Sequence, residues 1–95
     1  MTEYYDEGLT VEEQALAVQK RINDGTIWRM EGSAGRLAMD LLEEGLCMLP
    51  KTRYRDFYGN RVPARDDLEP GMIGTWRYVE ERYGRSWANR LARAK

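Results

Sequence analysis

The chain has 95 residues, 42% of them hydrophobic and 11% aromatic, with 15 basic against 16 acidic side chains and a formal net charge of −1. That is the size of one small domain, burying about two-thirds of its unfolded surface, and it is too rich in bulky apolar side chains for a disordered chain. The lack of histidine excludes His-based acid/base work, Ser-His and Cys-His nucleophile pairs and the usual zinc ligand sets, and the near-neutral charge gives no bulk attraction to nucleic acid or acidic lipid.

Residues 1–9 read as an arm without period, whose Tyr4 and Tyr5 are placed to dock on a core. Helix 1 is expected over residues 10–24. Thr10-Val11-Glu12-Glu13 is a capping box, in which the Thr hydroxyl takes the Glu13 amide and the Glu carboxylate reaches back. Val11, Ala15, Val18 and Ile22 then form one apolar stripe, and Gly25 suits the left-handed stop. Thr26 to Met30 is a short apolar link, a strand or an extended piece, that anchors Trp28 in the core.

Helix 2 is expected over 33–46. Leu37 and Leu41, with Glu44 beside them and Ala38 and Leu42 adjoining, make its apolar face wide, as in a central helix covered on more than one side. Leu46-Cys47-Met48-Leu49 either extends that helix past Gly45 or forms a short buried strand; Pro50 ends it in both cases. Cys47, the single cysteine, sits inside this run and reads as a buried inert thiol; no intrachain disulfide is possible, which fits a reducing compartment.

Residues 51–74 are expected to be irregular. Tyr54–Tyr58 and Arg61-Val62 suit a small hairpin about a Gly59-Asn60 turn, with Pro63 keeping the second strand short, and Glu69-Pro70-Gly71 has the type II turn pattern. Helix 3 is expected over 75–92, with Thr75 as its N-cap. Trp76, Val79, Tyr83, Trp87 and Leu91 stay in phase through Gly84, which favours one continuous helix over a break at Gly84 with a new cap at Ser86. No apolar run reaches the ~18 residues of a membrane span, and the acidic start is unlike a signal peptide.

Two stretches carry candidate sites. Gly32, Ser33, Gly35 and Arg36 place glycines, a hydroxyl and a cation at a helix N-terminus, where free amides attract anions. The pattern is not a known phosphate signature, and the plainer reading is tight packing with Ser33 as cap. Tyr54, Arg55, Phe57, Tyr58 and Arg61 interleave cations with aromatics, the residue types of protein–protein hot spots and of base-stacking strips. The plainer reading there is a loop covering the core while its arginines reach water. The acid pairs Glu12-Glu13, Glu43-Glu44, Asp66-Asp67 and Glu80-Glu81 are neighbours that point apart and make no metal or catalytic site. Residues 1–19 hold five acids and no base, and residues 82–95 five bases and no acid, so the two ends are able to pair within one chain or between two, or simply face water.

The segments EGSAGRLAMD, LLEEGLCML, RDFYGNRVPAR and DLEPGMIGTWRYV, within residues 27–80, resemble a type of small protein encoded by bacteriophages of actinobacteria, notably mycobacteriophages. The resemblance implies a protein made in the bacterial host cytoplasm that acts by binding a host protein. The sequence thus predicts a mainly α, three-helix domain with an irregular middle, and a non-catalytic interaction protein without cofactor or metal. The alternatives are a small nucleic-acid-binding module using Arg53, Arg55 and the basic C-terminal helix, and a homodimer built on the Trp76/Tyr83/Trp87 face.

Overall fold

The computed structural model describes residues 10–30, 32–56 and 58–94. The proposed arm over 1–9 therefore lies outside the described residues, as do Glu31, Phe57 and Lys95. The fold is mainly helical with a two-stranded antiparallel hairpin in the middle.

Helix α1 (Val11–Asn23) starts on the expected capping box: the Glu13 amide donates to Thr10 Oγ1 at 3.0 Å, and the Thr10 amide donates to Glu13 Oε1 at 2.9 Å. Ala15, Val18 and Ile22 are buried, but Val11, in the first turn, is 61% exposed. Gln19, which the stripe does not include, is fully buried. A 3-10 turn (Thr26–Arg29), rather than a strand, follows and buries Ile27 and Trp28. Helix α2 (Ser33–Glu44) packs through Ala34, Ala38 and Leu42, with Leu37 and Leu41 half-buried beside that line and Glu44 in water. Ser33 is the first helical residue and is exposed. The N-cap is Gly32, and no side chain caps this end.

Leu46 to Leu49 is neither helix nor strand. It is a buried irregular segment, begun when Gly45 closes α2 and the Leu46 and Cys47 amides both donate to the Leu41 carbonyl. Strands β1 (Tyr54–Arg55) and β2 (Arg61–Val62) pair Tyr54 with Val62 and Arg55 with Arg61. Their connection is not a two-residue Gly-Asn turn. The Asp56 amide donates to the Asn60 carbonyl and the Gly59 amide to the Asp56 carbonyl, so five residues, 56–60, connect the paired Arg55 and Arg61. Asp56 Oδ1 accepts the Tyr58 and Asn60 amides at 2.9 and 2.8 Å, an Asx arrangement that fixes the loop. The turn at Glu69-Pro70-Gly71 is as expected, closed by the Met72 amide on the Glu69 carbonyl.

The expected continuous helix over 75–92 is broken. Helix α3 (Trp76–Tyr83), capped by Thr75, ends at Gly84, and helix α4 (Arg85–Arg93) starts there, so the domain has four α-helices among the described residues. Gly84 has φ 96° and ψ 165°, a conformation open to glycine and closed to side-chain-bearing residues. The kink turns α4 so that Trp87, Ala88 and Leu91 enter the core with Val79 of α3, while Tyr83 is left 48% exposed. The N-cap of α4 is Gly84, not Ser86. Of the Trp76, Tyr83 and Trp87 face, Tyr83 is exposed, Trp76 is half-buried, and Trp87 is buried with its Nε1 donating to the Leu46 carbonyl. The Tyr78 hydroxyl and Arg82 Nε donate to the Glu43 and Glu44 carbonyls, which latches α3 onto the open C-terminus of α2.

Candidate functional site

A buried polar lattice holds the segment 48–50 in place. Gln19 donates from Nε2 to the Met48 carbonyl at 2.9 Å and accepts the Met48 amide at Oε1 at 2.8 Å. Arg65, only 7% exposed, donates from Nε to the Leu49 carbonyl at 2.7 Å and from Nη2 to Asn23 Oδ1 at 3.0 Å. Its own amide donates to the Pro50 carbonyl at 2.8 Å. Asn23 completes the lattice by donating to the Ala94 carbonyl at 2.9 Å and accepting from Gln19 Nε2 at 3.0 Å. Burial lowers the Arg65 guanidinium pKa from its ordinary value, with the charge of Asp66 opposing. Every group in this set serves backbone or amide, so we read it as a frame.

On that frame sits an open groove of about 510 Å3. Ile27, Trp28, Leu42 and Leu49 form its buried apolar wall, joined by Val62 of β2 and by Pro63 just after it. Met30, Met39 and Ile73 stand around it at 36%, 48% and 46% exposure, a concentration of apolar surface that a water-facing loop region does not need. Its polar members are Arg36, Asp56, Tyr58 and Arg61.

The groove joins two stretches that the sequence keeps apart. Gly32, Gly35 and Arg36 line it from the start of α2, and Tyr58 and Arg61 line it from the hairpin. Tyr58 is 69% exposed. The other candidate residues go elsewhere. Ser33 faces water outside the groove, Arg55 lies in a more open hollow of about 750 Å3 and donates to the Gly59 carbonyl, and Phe57 is outside the described residues. Tyr54 is an anchor: its hydroxyl donates to the Asn23 carbonyl at 2.8 Å and its ring lies over Gly25. Gly25, at φ 83°, admits that ring, since a Cβ there would meet Tyr54 Cδ1 at 2.7 Å. The hairpin is thereby fixed to the end of α1.

Arg53 is committed as well. It forms a two-point pair with Asp67, each contact 2.8 Å, although its side chain is 77% exposed. The Arg53 guanidinium and the Ala64 amide bring the Asp67 carboxyl down to about 2. The Cys47 thiol is buried, directed at the Ala15 carbonyl, and pushed up to about 12 by desolvation, which makes it a core group and a poor nucleophile. No group of three or more His, Cys, Asp or Glu able to hold a metal occurs among the described residues, and no helix there is long and apolar enough to cross a membrane.

Comparison with protein-family models, curated proteins and solved structures finds no match for this chain.

Proposed function

We propose that this chain is a small non-catalytic interaction protein that binds another protein through the groove between α2 and the hairpin. The observation that supports this most is the convergence of Met30, Met39, Tyr58 and Ile73, all substantially exposed, on one concave apolar surface. Protein interfaces are built this way, with an apolar centre, aromatic and methionine contacts and an arginine rim. Unbranched methionine side chains let such a surface adapt to what it holds. The resemblance of residues 27–80 to small actinobacteriophage proteins makes a bacterial host protein the partner class, met in the host cytoplasm.

The test is capture from host lysate with mass spectrometry, with and without nuclease, comparing the wild-type chain with a Tyr58→Ala/Arg61→Ala double variant. Both residues are exposed, so the variant is expected to melt as the wild type does while losing the specifically captured protein. Capture of the same protein by both chains would show that this surface is the wrong one. Capture that disappears with nuclease would point to nucleic acid instead.

A further inference from the structure

Resting on that reading, we infer that the partner element held by the groove is an amphipathic helix with acidic side chains flanking its apolar stripe. Three positive features meet at the groove. Arg36 and Arg61 rise from different elements, both exposed, and the guanidinium of neither makes a hydrogen bond or ion pair with the described residues. The start of α2 lies between the glycines Gly32 and Gly35 and has no side-chain cap, so its first amides carry the positive end of the helix dipole toward the same rim. Asp56, the one acid lining the groove among the described residues, already accepts two backbone amides and lies 3.4 Å from Asn60 Nδ2. Among the described residues the rim carries a surplus of positive charge around an apolar floor, and an occupant that complements both is apolar and anionic together.

The geometry favours a helix over an added strand. The exposed edge of β2 is two residues long and Pro63 ends it, which leaves almost no ladder for a strand to join. A helix presents an apolar stripe with carboxylates on both flanks, matching cations that stand on α2 and on the hairpin. Trp28, whose ring lines the groove, supplies a signal. Its Nε1 is the one buried side-chain N or O atom without a partner among the described residues, and Trp76 and Trp87 are not among the residues that line the groove.

Synthetic amphipathic helices test this against the full-length chain, by anisotropy of a labelled peptide and by Trp28 emission. The probes share leucines at i, i+4 and i+7. One has glutamate flanks, one has lysine flanks, and one has glutamate flanks with serines in place of the leucines. The glutamate–leucine helix is expected to bind about tenfold more tightly than the lysine helix, as two rim contacts allow. That preference should vanish in the exposed-site variant Arg36→Glu/Arg61→Glu, Met39→Glu should abolish binding, and the serine helix should not bind. A lysine helix that binds as well or better, or acidic binding that survives Arg36→Glu/Arg61→Glu, overturns the inference. So does self-association of the chain abolished by the same double change, which would make a second copy the occupant. Failure of all three probes removes the acidic helix but leaves the groove itself to the lysate capture, which uses no peptide.

Discussion

Replacing Gln19 with leucine tests the frame under the groove. The two side chains are similar in size, so Gln19→Leu removes hydrogen bonds while leaving little void. Both polar groups of the Met48 backbone lose their partner, since the Gln19 side chain is bonded to the amide at 2.8 Å and to the carbonyl at 2.9 Å. Each buried backbone group left unpaired costs about 1–3 kcal/mol, so the gross loss is about 2–6 kcal/mol. Extra apolar burial of leucine offsets about 1–2 kcal/mol of this. The net expectation is a loss of about 3 kcal/mol, a large part of the roughly 5–15 kcal/mol typical of a domain. For a chain of this size that lowers Tm by roughly 12–24 °C. Urea unfolding followed by far-UV circular dichroism, with the slope held equal between variants, measures it. A loss below about 1 kcal/mol would refute the claim that Gln19 carries the 48–50 segment, since one neutral surface hydrogen bond accounts for that much.

Two further expectations concern the helix break and the hairpin flank. Gly84→Ala puts a side chain at φ 96° and should cost about 1–3 kcal/mol, with near-UV dichroism reporting loosened packing of Trp87; an unchanged Tm would mean that the break is not enforced there. Asp67 should titrate near 2 by carboxyl NMR in the wild type and move toward the ordinary 3.8 in Arg53→Ala. Because its folded value is depressed, its contribution is present above about 3.8 and is lost as pH falls toward 2; an unmoved Asp67 in Arg53→Ala would show that the Ala64 amide alone holds the shift.

What the sequence made legible was local. The Thr10 box, the Thr75 cap, the Pro70-Gly71 turn and the presence of a hairpin each depend on residues within a few positions, and each formed. The break at Gly84 was visible only as the lesser alternative, because periodicity counts spacing but does not register direction. Trp87 and Leu91 keep their phase in the sequence while the chain turns between Tyr83 and Arg85. Gln19 also escaped, since a polar residue beside an apolar stripe reads as its border. Its one signal was its position four residues after Ala15, on the buried side. Tyr54 looked like a member of a surface strip because nothing nearby in sequence announces that its hydroxyl reaches Asn23. The groove required the tertiary fold: Arg36 and Arg61 are distant in sequence, and only the placement of the hairpin against α2 makes one rim of them.

The most direct measurement of the docking claim is amide hydrogen exchange on the chain, alone and bound to the protein it captures. Slowed exchange is predicted at Met30, the first turns of α2, residues 58–62 and Ile73, with α4 unchanged. Protection confined to the separate hollow around Val11, Leu46, Tyr83 and Trp87 would contradict it.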